Sequence, residues 1–253
     1  MACRYPCSSW RRHTGRRCCS ARRPAMRPRR ASRACGRHCE KAGLMLVVVG
    51  FQAEAALLPQ GTAPLCAAAN PALLARRLAA MPRPAAILSF GVAGGLDPSL
   101  PSGSLVVADS LIAAEGSYAP DPDWSARLAA ATGARLLPVA GSDLLVASAA
   151  EKASLRARTG AAVVDMESAV VARLGVPFAV LRAVGDTAEE ALPPAAAHGL
   201  DEEGNPAPLR VMRALLRRPQ DLPGLIRLAR RTNTALAALR PVVGAALKQS
   251  ATG

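Results

Sequence analysis

Ala86-Ile87-Leu88-Ser89-Phe90-Gly91-Val92-Ala93-Gly94-Gly95-Leu96 is the stretch from which the fold is read. Its first half is an apolar run of strand length without polar alternation, the pattern of a strand buried on both faces of a sheet. Its second half places three glycines at the C-terminal end of that strand, where α/β sheets bind ligands. Glycines there let backbone amides approach a flat or anionic ligand, although a tight turn with no ligand accounts for them equally well. The spacing is not the dinucleotide fingerprint, and a strand rather than a helix follows.

Outward from this point, further apolar runs predict strands over 45–49, 104–110, 136–139, 162–164 and 178–184. Alanine-rich stretches predict helices over 71–80, 124–131, 149–158 and 166–174. Asn70 before Pro71 is a helix N-cap followed by proline at the first helical position. The alternation predicts one α/β domain, a sheet covered by helices on both faces. Residues 185–208, rich in Pro, Ala and acids, are long enough to be a lid or binding loop. His198 within it reads as a solvated loop histidine that could also contact substrate, and Cys66 as incidental. Two basic amphipathic helices follow, over 209–218 and 222–239.

Charge divides the 253 residues into three parts. Residues 1–44 hold 13 Lys or Arg and one acid, with six of the seven cysteines. Residues 45–206 hold 10 bases and 16 acids. From 207 to 248 there are nine bases and one acid, Asp221. No apolar run reaches the ~18 residues of a membrane-spanning helix. The basic leader admits three readings: a nucleic-acid-binding arm, a Cys/His metal site, or sequence outside the working protein. Adjacent Cys18 and Cys19 fit a zinc tetrahedron poorly, and the leader lacks periodicity and has only two aromatics, Tyr5 and Trp10. An Arg-rich, acid-poor transit peptide is compatible with it. The favoured expectation is no metal, no nucleic acid and translation from Met45, which the intact mass of the natural protein would test. The expected organisation is therefore a leader over 1–44, an α/β core over 45–208, and basic helices over 209–253 packed on the core.

Two more segments place carboxylates at strand ends. In Val163-Val164-Asp165-Met166-Glu167-Ser168-Ala169 a strand runs into a helix with Glu167 in its first turn. There a carboxylate either favours the helix's positive end or grips a vicinal diol such as ribose. In Arg182-Ala183-Val184-Gly185-Asp186-Thr187, Asp186 follows the longest apolar strand. It reads either as a turn cap or as an acid in a dry cleft, its pKa raised so that it can donate a proton.

Together and in this order, the segments resemble the nucleoside phosphorylase and nucleosidase family over about residues 45–190. The resemblance implies a mixed central sheet flanked by helices, a homo-oligomer, and cleavage of the N-glycosidic bond of nucleosides in the cytoplasm. It implies no cofactor, with inorganic phosphate as co-substrate of the phosphorolytic members. Carried over residue by residue, Glu167 would take the ribose hydroxyls and Met166 would pack on the sugar. Asp186 would protonate the purine at N7 as general acid. Val92, Ala93 and Gly94 would line the base and anion side, Ser89 and Gly91 would serve the phosphate, and Leu145 and Val146 would stack on the base. Glu54 matches the acid after the family's opening strand. Two positions depart from the pattern. Val92 stands where phosphorolytic relatives often carry a hydroxyl, and Gly185 where many carry Ser beside the acid.

The run Leu192-Pro193-Pro194-Ala195-Ala196 and the tail from Leu215 to Arg230 resemble the hopanoid-associated phosphorylase subgroup, which is linked with removing adenine from adenosylhopane. That resemblance implies a lipid-linked substrate, and the basic helices suit peripheral docking on anionic lipid. They serve equally as a solvated cover for the sheet. The leading expectation is phosphorolysis of adenosylhopane. The alternatives are a methylthioadenosine or adenosylhomocysteine nucleosidase with Glu54 activating water, and a non-catalytic nucleoside-binding protein.

Overall fold

The computed structural model describes residues 45–199, 201, 204, 205 and 207–250, and of residues 197, 198 and 250 the backbone only. The readings of the leader and of the His198 side chain lie outside what is described. All described residues fall within one unit, Glu40–Gly253.

Eight strands form one mixed sheet: β1 (Met45–Val49), β2 (Leu65–Cys66), β3 (Ala86–Gly95), β4 (Leu105–Ala113), β5 (Gly116–Tyr118), β6 (Arg135–Gly141), β7 (Val163–Asp165) and β8 (Phe178–Val184). Strand β3 pairs with β1 and β8 in parallel and with β7 antiparallel. Strand β8 also pairs antiparallel with β4, β4 in parallel with β6, and β6 in parallel with β7. Strands β3, β8, β4, β6 and β7 therefore close a ring, and β1, β2 and β5 extend from it. All seven residues of β8 are buried. Each such Val or Leu contributes roughly 1.5–3 kcal/mol through removal from water.

The glycine segment is strand rather than turn. Gly91 to Ala93 stay in register with Arg182 to Val184 of β8, and Gly94 and Gly95 then pair with Val164 and Val163 of β7. The chain continues extended because it exchanges one hydrogen-bonding partner for another where the ring closes.

Among the described residues, eight helices flank the sheet: α1 (Gln52–Ala55), α2 (Pro71–Ala79), α3 (Pro122–Thr132), α4 (Ala149–Thr159), α5 (Ser168–Arg173), α6 (Pro208–Arg217), α7 (Leu222–Leu239) and α8 (Val243–Ser250). Asn70 caps α2 by accepting from Leu73 N at 3.0 Å. Ser148 and Glu151 form a reciprocal capping box on α4. Helix α5 begins later than its sequence suggests, because Asp165 at the end of β7 accepts from the amides of Glu167 and Ser168, leaving Glu167 at the N-cap position. The 185–208 segment contains a 3-10 turn, Pro194–His198. Ala235 and Leu239 of α7, with Val243 and Ala246 of α8, complete one side of the core. Helices α1 and α8 and strands β2 and β5 are too short or too weakly patterned to read from sequence. Among the described residues, no helix is long and apolar enough to cross a membrane.

Candidate active site

Arg182 is the centre of the site. It is fully buried in the middle of β8, and its Nε donates to Asp165 Oδ2 at 2.6 Å. Its Nη2 reaches Ser89 Oγ at 2.7 Å and Glu167 Oε2 at 3.3 Å. Its Nη1 is buried with no hydrogen-bond partner among the described residues. Burial opposes a charge there, but Asp165, Glu167 and Glu54 outweigh it and hold the guanidinium protonated more firmly than usual.

Glu54 reaches this centre from α1, whose first turn follows β1 directly. Its Oε2 accepts from Gly50 N at 2.6 Å and Phe51 N at 3.2 Å, and its Oε1 accepts from Val92 N at 2.7 Å. Burial raises its pKa to about 7, against the opposing pull of Arg182 and of the three amides. Glu167 is pushed up as well, first by burial and then by the neighbouring carboxylates Asp165 and Glu54. The two glutamates flank Gly50, where a Cβ would lie 3.1 Å from Glu167 Oε1 and 3.3 Å from Glu54 Oε2. Gly91 has a similar reason, since a Cβ there would lie 2.4 Å from Glu54 Oε1. Three carboxyl groups thus share one guanidinium, and near neutrality the buried pair Glu54 and Glu167 can take up or release a proton.

Asp186 stands on the other side of β3. Its backbone oxygen accepts from Gly95 N at 2.7 Å, and Gly185 N donates to Ala93 O at 2.8 Å. A Cβ on Gly94 would come within 3.5 Å of Asp186 Oδ2, so the carboxylate lies over that glycine. The sequence reading did not include a cation here: the ammonium of Lys152, on α4, contacts Asp186 Oδ2. A cavity of about 290 Å³ opens beside Asp186 between the 189–193 segment and Arg227 and Arg231 of α7.

Val92 and Gly185, the two positions that depart from the family pattern, are one packing event. A Cβ on Gly185 would lie 2.7 Å from Val92 Cγ1, so the bulk at 92 excludes a side chain at 185.

The structure brings together Glu54, Met166, Glu167, Ser89 and Gly91 around Arg182, and Gly94 and Asp186 around Lys152, with Val92 and Ala93 between. Several of these groups differ from expectation. The Ser89 hydroxyl accepts from Arg182 and lies 3.3 Å from Ser168 Oγ. Val92 N is taken by Glu54, and Ala93 O by Gly185. These groups serve the protein's own carboxylates and backbone rather than standing open to phosphate. Met166 is half-buried between the buried Asp165 and Glu167. Leu145 and Val146 line a groove of about 490 Å³ with Glu151, Leu155 and Arg158, and Lys152 is not part of its lining.

Asp165, Arg182 and Lys152 have roles that motif reading missed. A signal existed for the two cations. Arg182 interrupts the strongest apolar run of the chain, and a charge there must be paired. Lys152 is three residues from Ala149 and from Leu155, which puts it on the inward face of its helix.

Comparison with known proteins gives a family. The model of the phosphorylase superfamily matches residues 52–217. The chain belongs to the phosphorylase superfamily. Solved structures share the fold at low identity. The 5′-methylthioadenosine/S-adenosylhomocysteine nucleosidase of Neisseria meningitidis, in complex with methylthio-immucillin-A, is 17% identical with a TM-score of 0.56, covering 81% of this chain and 98% of its own. The corresponding nucleosidase of Helicobacter pylori is 17% identical at a TM-score of 0.54, covering 80% and 98%. Futalosine hydrolase of Helicobacter pylori strain 26695 is 16% identical at 0.53, again covering 80% and 98%. Curated protein sequences give no match.

Proposed function

We propose that the protein cleaves the N-glycosidic bond of a purine nucleoside, with water as the nucleophile. The observation that carries this reading is Glu54: a buried carboxylate with a pKa of about 7, fixed by three amides, beside Arg182 and Glu167. That is the setting of a general base near neutral pH. As the bond from C1′ to the purine breaks, its electrons pass to the base, and Asp186 delivers a proton to N7. Glu167 holds the ribose hydroxyls and faces the positive charge that builds on the sugar. The water oxygen bonds to C1′, and its proton passes to Glu54. Arg182 Nη1 is the free donor available to orient that water.

Phosphate fits this centre less well. Three carboxyl groups surround one guanidinium, Val92 offers no hydroxyl, and Ser89 is already engaged. Of the three solved structures described above, one is a hydrolase and two are nucleosidases by name, which agrees with the same choice. The test is adenine release from adenosine and 5′-methylthioadenosine with and without phosphate, identifying the sugar product. Free ribose or its 5-methylthio derivative, formed equally fast without phosphate, is expected. A strictly phosphate-dependent reaction giving the sugar 1-phosphate would overturn the hydrolytic reading.

A second feature bears on the substrate. Helix α6 buries none of its residues, and Leu209, Met212 and Leu216 are 78%, 58% and 80% exposed along one stripe. Arg210, Arg213 and Arg217 line the adjacent groove against Pro194 and Ala195. An apolar stripe beside a row of arginines is suited to an anionic bilayer surface. This supports a lipid-borne purine nucleoside, such as the adenosylhopane that the sequence resemblance suggests, as substrate.

A further inference from the structure

Lys152 is absent from the chemistry proposed above, yet no other amine of the described residues is so enclosed. Its side chain has 0% exposure. Burying an ammonium costs several kcal/mol unless every proton finds an acceptor, and here each of the three does. One contacts Asp186 Oδ2, one Thr187 O at 2.7 Å and one Glu190 O at 2.8 Å. The helix that carries it is fixed at its start by the Ser148–Glu151 capping box, immediately before the lysine. All three acceptors belong to residues 186–190, which follow β8 and carry the acid. Asp186 Oδ1 accepts no hydrogen bond from a described residue, and the carboxylate is 14% exposed.

We propose that Lys152 is the positioning residue of the general acid. It holds one oxygen of Asp186, leaves the other free for the purine, and ties the segment bearing the acid to α4. This assignment rests on the nucleoside-cleaving reading. It also accounts for Gly185. A hydroxyl beside the acid would need a Cβ where Val92 Cγ1 stands, so the second hold on Asp186 comes from across the site instead.

The test compares two leaving groups in the full-length chain. Adenine departs only with help from a proton, whereas p-nitrophenolate departs from p-nitrophenyl β-D-riboside without one. For Lys152→Met we expect kcat on adenosine to fall about 100-fold with KM changed by less than about 3-fold, and kcat on the nitrophenyl riboside to fall by less than about 3-fold. In an Asp186→Asn background, the same substitution should cost less than about 3-fold further on adenosine, because the two residues act as one unit. Lys152→Gln, which keeps a donor without the charge, should fall between wild type and Lys152→Met.

Equal losses on both substrates, whether from misfolding or from a general structural role, would overturn the assignment. So would a full additional loss in the Asp186→Asn background. If wild type cleaved neither substrate, the nucleoside-cleaving reading would fall and the Lys152 role with it. Wild-type cleavage of both, with Lys152→Met impaired alike on both, would overturn the Lys152 role alone.

Discussion

Glu54 shows at a single residue how burial and hydrogen bonding compete. Desolvation pushes the carboxyl up to about 7, against the opposing pull of Arg182 first and then of the amides of Val92, Gly50 and Phe51. A base in that position works only once it has lost its proton, so activity should rise as pH increases through about 7. Below that value the acid form, favoured by burial, is inactive. A profile of base release against pH checks this, and Glu54→Gln should lower kcat by about 10²–10⁴-fold and remove the limb near 7. Val92 and Gly185 make a second prediction at the same scale. Gly185→Ser alone forces its Cβ against Val92 Cγ1 and should destabilise the fold by about 1–3 kcal/mol. Adding Val92→Ser should recover most of that loss in chemical denaturation, with a coupling that neither single change shows. Of these residues, Glu167 and Asp186 were legible as candidates because acids at strand ends are conspicuous, and Glu54 only through the family resemblance. Asp165 was quoted only as a neighbour of Glu167. Its role depends on Arg182 arriving from a strand 17 positions later.

Helix α4 links local sequence rules to the site. Its start at Ala149 was read from an alanine-rich stretch, the structure adds the Ser148–Glu151 capping box that fixes it, and its end at Gly160 is a left-handed cap that glycine adopts without strain. Ser148→Ala should cost about 1 kcal/mol in thermal or chemical unfolding through the lost cap. Because the next turn carries Lys152, the same variant should lower kcat on adenosine more than on the nitrophenyl riboside. Strand β3 is the element whose reading changed most. Its glycines suggest a turn, but β8 on one side and β7 on the other keep it extended. Only the partner strands, remote in sequence, decide between the two conformations. Helix α6 shows the opposite case: its amphipathic pattern was plain from sequence, and the structure leaves its apolar stripe uncovered.

For the whole molecule, closure of the five-strand ring brings Asp165 at the end of β7 to Arg182 of β8, two strands that both pair with β3. Residues 186–190 are held to α4 by Lys152 and to α7 by the Glu190–Arg231 ion pair at 2.8 Å, so the segment bearing the acid is braced by two helices. If α6 docks on membranes, the protein should co-sediment with vesicles containing anionic phosphatidylglycerol, and binding should weaken as salt rises. Leu209→Ser combined with Leu216→Ser should reduce that binding at least about 10-fold while cleavage of soluble adenosine stays unchanged. Equal binding by the double variant would make α6 a solvated flank of the fold.

The sequence by itself determined the α/β class, the main strands and helices, the family resemblance, and three acids that carry the candidate chemistry. It could do so because hydrophobic periodicity, caps and strand-end carboxylates are local patterns. The tertiary structure decided the pairing of those acids: Glu54 and Glu167 with Arg182, and Asp186 with Lys152. It also decided that Ser89 and the Val92 amide serve the protein's own charges. The physical reason is that a buried charge is tolerated only with partners, and the partners come from strands and helices that sequence distance keeps apart until the ring of β-strands closes.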